Sequence, residues 1–157
     1  MATPEFVLAL RERIGHAPLW MSGVTAIVLD GDRRRMLAVR RADNGAWTPV
    51  TGIIDPGEEP AVAAEREVLE EAGVRCRALR LIDVRTVGPV TYPNGDVAEY
   101  LDLCFLCEHE DGDPHPADGE NTEARWFPID APPPMNERFT EMLTIALAGR
   151  PEARFRR

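Results

Sequence analysis

Cysteine is scarce in this chain of 157 residues: there are three, an odd number that makes no disulfide framework. Cys104 and Cys107 form a CxxC, but inside the apolar run LDLCFLC at 101–107, which reads as a strand. Residues three apart on a strand point to opposite faces, and no second CxxC or histidine pair stands nearby. They are expected to be core cysteines rather than zinc ligands or a redox pair. Long apolar runs are also missing. None approaches a membrane span, and the first residues lack the layout of a signal peptide, so a cytoplasmic protein without membrane association is expected. Positive charge is in deficit, with 18 Lys+Arg against 27 Asp+Glu, a net charge of −9 and a pI of about 4.8. That balance argues against a protein that reads nucleic acid through its phosphate backbone. It leaves room for a small nucleotide, because a bound metal reverses the sign locally.

What the chain does have is an acidic stretch at 52–74, GIIDPGEEPAVAAEREVLEEAGV. Asp55-Pro56-Gly57 reads as a tight turn, and Gly52 marks a place where backbone can approach another group closely. Pro60 suits the first helical position and Gly73 a C-terminal stop, which predicts a helix over 60–72. Ala61, Ala64, Val68 and Ala72 recur at helical spacing, so one side can dock on a sheet and hold the other in a fixed direction. Glu67, Glu70 and Glu71 follow Arg66 at i, i+3 and i+4, which puts three carboxylates close together. Carboxylates that close repel one another. Either the face is simply solvated, or a hard divalent cation with oxygen ligands relieves the repulsion.

The order of residues decides the weight between those readings. Gly52, five residues, Glu58, seven residues, Arg66-Glu67-Val68, one residue, Glu70-Glu71, one residue, Gly73-Val74 matches the Nudix box at every specified position. The chain therefore resembles the Nudix family. The resemblance implies an α/β (α+β) fold, an α/β/α sandwich around a mixed sheet. It also implies hydrolysis of a pyrophosphate bond in a nucleoside diphosphate linked to another group, with ADP-ribose-like and nucleoside triphosphate substrates as the main options. Mg2+, or Mn2+ in its place, is the cofactor expected from the family. The expected metal ligands are Glu67, Glu70, Glu71, Glu58 and the carbonyl of Thr51, which stands where many relatives carry glycine. The base is expected to be Glu67 or a distal glutamate, for which Glu120 is chosen by its distance from Trp126, with Glu123 second. Arg66 is expected to orient Glu58 or Glu70. A homodimer stays open, and a Nudix domain that senses a nucleotide without cleaving it is the rival reading.

Around the box, 4–16 reads as an amphipathic helix, 23–30 and 35–41 as a hairpin across Asp30-Gly31-Asp32, and 77–87 and 97–107 as a second pair. Arg40 and Arg41 end their strand just before the box. They can reach a substrate phosphate or serve as plain surface arginines. Tyr92, Asn94 and Asp96 fall at a hairpin tip, where Tyr92 and Asn94 can meet a base or simply make the turn. The run 109–119 is rich in acid, Pro and Gly and is expected to be a mobile loop with a solvated His115. A strand over 124–129 and a closing helix over 135–147 complete the expectation. Residues 1–20 are read as a helix and lead-in, 21–150 as a single domain, and 151–157 as a loose tail.

Overall fold

Alternation of apolar residues along the second element organises the whole molecule. In the computed structural model, which describes residues 3–157, β1 (Leu19–Leu29) turns Val24, Ala26 and Val28 to one side and Ile27 and Leu29 to the other. A strand buried on both faces must be central, and β1 is. It lies between β2 (Arg35–Arg41) and β6 (Val97–Asp111), pairing antiparallel with the first and parallel with the second. Among the described residues the sheet runs β3-β2-β1-β6-β5-β8, with β4 also on β1 and β7 also on β2. The remaining strands are β3 (Trp47–Thr48), β4 (Val50–Ile53), β5 (Arg75–Thr91), β7 (Asn121–Pro128) and β8 (Arg154–Phe155).

Helices cover both faces. On one side α2 (Pro60–Ala72) sets Ala63, Ala64, Val68 and Ala72 against Val24, Val39, Val50 and Cys107. Its small residues let the helix axis come close to the sheet. On the other side α3 (Glu137–Leu147) sets Phe139, Met142, Leu143 and Ala146 against Ile27, Met36, Ile82 and Cys104. Each fully buried Ile, Val or Met side chain here stabilises the fold by about 1.5–3 kcal/mol. The N-terminal α1 (Glu5–Ile14) places Val7 on Met21 and Ala98 at the ends of β1 and β6. Cys104 and Cys107 thus face opposite cores, and all three cysteines are free and buried. The mixed sheet with three helices is the α+β arrangement that the motif implied.

Three expectations need correction. The second hairpin is longer than its apolar pattern indicates: β5 continues to Thr91 and β6 to Asp111, so only 92–96 turns. His109 is accordingly a strand residue, with its ring edge-on to Trp126 at 5.2 Å. The segment after β6 is tied down: His115 N–H donates to Ala72 O at 3.0 Å and Ala117 N–H to Glu71 O at 3.2 Å. These carbonyls end α2 and would otherwise lack partners. The tail expected to be loose pairs Arg154 with Asp83 and Phe155 with Val84, while Arg154 and Arg156 both reach Glu141 at 2.6 Å. Among the described residues no helix is long and apolar enough to cross a membrane.

Candidate active site

The site is built where α2 meets β4. Pro60 opens the helix, and Gly73 closes it in the left-handed conformation, φ 66°, its N–H bonded to Leu69 O. The helix buries one face, and two of its glutamates go with that face. Glu67 is 1% exposed and Glu71 6% exposed. Glu70 points the other way, its side chain 52% exposed. A helical wheel groups all three, but docking on the sheet separates them.

Glu67 lies directly against β4. A methyl group on Gly52 would sit 2.1 Å from the Glu67 carboxyl carbon, so no larger residue fits at 52 while Glu67 keeps this place. Arg66 ties the acids together. Its Nε and NH2 donate to the two oxygens of Glu58 at 2.8 and 2.9 Å, in the paired geometry that suits guanidinium and carboxylate. Its NH1 donates to Glu67 at 2.9 Å and Glu70 at 3.1 Å, and NH2 also reaches Ile53 O at 3.2 Å. Glu58 is fixed in turn by the Asp55-Pro56-Gly57 turn, accepting from Asp55 N–H at 3.1 Å.

Burial outweighs this compensation. It pushes the Glu67 carboxyl up to about 7 even though Arg66 pulls the other way. Glu71 is also pushed up to about 7 by burial, with the amide of Asn121 donating to it at 3.0 Å. Glu58, held by Arg66, goes below its ordinary value. Glu58, in the turn before the helix, is therefore held charged by Arg66, whereas the two buried acids on the helix are pushed toward their neutral form.

Among the described residues no three His, Cys, Asp or Glu side chains gather into a ready-made metal cage. Arg66 draws Glu58, Glu67 and Glu70 to itself, and Glu71 turns to Asn121. The donor set nonetheless fits a hard cation. It offers carboxylate oxygens alone, and its two buried members lack a full countercharge. Thr51 precedes Gly52 in β4, and it is Gly52 that Glu67 packs against. An open cleft of about 510 Å³ borders these groups, lined by Asp55, Arg66, Glu67, Glu70, Ala117 and Asp118, with Pro4 at its edge.

The other named residues are placed less directly. Arg41 is clamped by Asp43 at 2.8 and 2.9 Å, which raises its hold on the proton, and it feels Glu71 and Tyr92 at longer range. Arg40 donates to Glu123 at 2.9 Å and to Gly45 O at 3.2 Å. Glu120 precedes β7, its N–H on the Asp118 carboxylate and its carbonyl taking Ala42 N–H. Tyr92 meets the Tyr100 hydroxyl, and the Asn94 amide is committed to Asp96 at 2.9 Å. Asp96 is bound by His16 at 2.8 Å, which fastens the hairpin tip to the N-terminal region rather than to the cleft. Two residues at the site were missed in the sequence. Asp118 reaches the cleft because the bonds of His115 and Ala117 to α2 carry it there. Asn121 reaches Glu71 from fifty positions away.

A mixed sheet between helices, with a Gly-backed acidic helix bordering an open cleft, defines a hydrolase of the Nudix class. The family model for the NUDIX domain matches residues 19–144, and the chain belongs to that family. It is a Nudix pyrophosphohydrolase by this membership. A MutT-like protein of Streptomyces ambofaciens is 34% identical over 133 residues, covering 83% of this chain and 76% of the relative. The NAD-capped RNA hydrolase NudC of Chromobacterium violaceum is 33% identical over 104 residues, covering 64% of this chain. The chain spans only 36% of that relative's length. Among solved structures, an ADP-ribose pyrophosphatase of Streptococcus suis superimposes with a TM-score of 0.67 at 23% identity. That match covers 87% of this chain and 98% of the other.

Proposed function

We propose that this protein hydrolyses the pyrophosphate bond of a small nucleotide, a nucleoside diphosphate carrying a further group, with Mg2+ or Mn2+ as cofactor. The observation that carries this reading is the pair of buried glutamates on one helix, Glu67 and Glu71, the first of which lines an open cleft. Each is held in place at a cost to its charged form. Glu67, Glu71 and the Thr51 carbonyl would hold the divalent ion, which would supply countercharge to the acids and to the diphosphate and Lewis-acid polarisation at phosphorus. The chain's own groups do the rest. Arg66 keeps Glu58 and Glu67 fixed, so that the acids need no reorganisation when substrate arrives. Glu70 borders the cleft, half exposed and bonded to Arg66 through one oxygen, and its carboxylate takes the proton of the attacking water.

The relatives set the substrate classes to test. One acts, by its name, on NAD-capped RNA, and a structural neighbour on ADP-ribose. Both reactions cut a diphosphate between two larger groups, and this chain is proposed to do the same with the smaller nucleotides. Phosphate release coupled to phosphatase, with Mg2+, across ADP-ribose, NADH, dinucleoside polyphosphates, nucleotide sugars and nucleoside triphosphates tests it. One substrate well above the rest supports the reading. Silence with both Mg2+ and Mn2+, together with thermal shifts on nucleotide binding, would replace it with a sensing domain.

A further inference from the structure

β7 begins with a fault in its ladder. On β2 and β7 the residues that face α2 are paired Leu37 with Trp126 and Val39 with Ala124. Strict alternation would next bring Arg41 opposite Thr122, with Asn121 on the far side of the sheet. The register shifts between Arg40 and Arg41 instead: Arg40 pairs with Glu123, but Arg41 pairs with Asn121. Thr122 is the extra residue, exposed, its hydroxyl donating to Arg40 O at 3.3 Å. A bulge of this kind re-aims the neighbouring side chain. Here it turns Asn121 under α2, where it is 6% exposed and its Nδ2 donates to Glu71 Oε2 at 3.0 Å.

The choice of residue is informative. Glu67 is held by a guanidinium, which brings a full positive charge, whereas Glu71 is held by an amide, which brings a donor and no charge. An amide donor fixes the orientation of the carboxylate and occupies Oε2 while leaving its negative charge for something else to neutralise.

We infer that Asn121 is a positioning residue for Glu71: delivered by the bulge at Thr122, it holds Oε2 and so orients the other Glu71 oxygen toward a divalent cation. This rests on the reading of Glu71 as a metal ligand. The expected size is that of other partners that orient a ligand, a loss of about 10–100-fold in metal affinity when the donor is removed.

The test measures Mn2+ binding to the full chain by the electron spin resonance of the free ion, without substrate, for wild type, Asn121→Leu, Glu71→Gln and the double variant. Asn121→Leu keeps the volume and loses the donor, and thermal melts establish that it is folded. Asn121→Ser, too short to span the bond, measures the same quantity should the leucine variant not fold. The expected result is a 10–100-fold weaker Mn2+ affinity in the single Asn121 variant, and no additional loss when it is added to Glu71→Gln. In turnover, the Mg2+ concentration for half-maximal rate rises while the rate at saturating Mg2+ recovers. Undiminished Mn2+ affinity in Asn121→Leu, with Glu71→Gln impaired, overturns the positioning role alone. An equal loss in both backgrounds shows that Asn121 acts elsewhere and also overturns it. Undiminished affinity in Glu71→Gln overturns the ligand reading beneath it.

Discussion

The two faces of the sheet bury acid in different ways. Under α3, Asp83, Asp102 and Glu141 meet four guanidinium groups. Arg85 pairs with Asp83 and Glu141, Arg138 approaches Asp102 at 3.7 Å, and Arg154 and Arg156 close on Glu141. Thr25 adds a hydroxyl donor to Asp102 at 3.0 Å. Under α2, Glu58, Glu67 and Glu70 share Arg66 as their bonded cation, while Glu71 accepts from the neutral amide of Asn121. One face is neutralised within the chain and the other is left short of positive charge. A folded protein tolerates such a shortage where an external cation or a reaction needs it, and the stability is forgone at that spot.

The contrast is broken most strongly at Glu71. Glu71→Gln should lower turnover on the preferred nucleotide by roughly 10³-fold or more at saturating Mg2+, since it removes a proposed metal ligand. The same change should raise the melting temperature in chelator, because a buried charge without a full partner disappears. Phosphate release and thermal melts on one preparation read both. On the opposite face Asp83→Asn should do the reverse. It leaves the buried guanidinium of Arg85 with Glu141 as its remaining carboxylate and should cost about 1–3 kcal/mol of stability in denaturant titration. Turnover per folded molecule should stay near that of wild type.

A milder way to sharpen the comparison is pH. Burial raises the Glu67 and Glu71 carboxyls to about 7 in the folded chain, from an ordinary 4.5. Between those values the folded state binds more protons than the unfolded state, so stability falls as pH rises from about 4.5 to about 7. The loss is on the order of 2–3 kcal/mol for one such group. In chelator the melting temperature should therefore drop across that window, and Mg2+ should restore it most at the upper end. A metal-independent, flat profile would show that the two acids carry no such strain. The smallest effect belongs to the tail. Deleting residues 153–157 removes β8 and two of the ion pairs of Glu141, and should lower the melting temperature by about 2–4 °C with unchanged turnover.

Much of this was legible in order along the chain. Pro60 and Gly73 bound α2 at the residues where the structure starts and stops it. The alternation around Cys104 and Cys107 placed them in opposite cores. What stayed hidden depends on pairing across distance. Helical spacing groups Glu67, Glu70 and Glu71, yet only the sheet decides that two go in and one stays out. Asn121 reads as part of a polar loop, because a bulge is a property of two strands and neither shows it alone. The composition of 109–119 signals a loop, but the carbonyls at the end of α2 need donors, and His115 and Ala117 supply them. The chain has no lysine, its 18 Lys+Arg positions all being arginine, and nothing in a run such as RPEARFRR tells which of them will find Glu141.

The parallel pairing of β1 with β6 sets an order for assembly. Leu19 aligns with Ala98, and the pairing continues to Leu29 with Glu108, so the central seam joins residues 79 positions apart. Such contacts form late, since the intervening chain must first be made and its ends brought together. On the ribosome, the acidic helix emerges well before the strand that completes the sheet beneath it, and Asn121 follows later still. For that interval Glu67 and Glu71 are ordinary solvated acids. The proposed metal site, with Asn121 against Glu71, can be complete only once the last third of the chain is being translated.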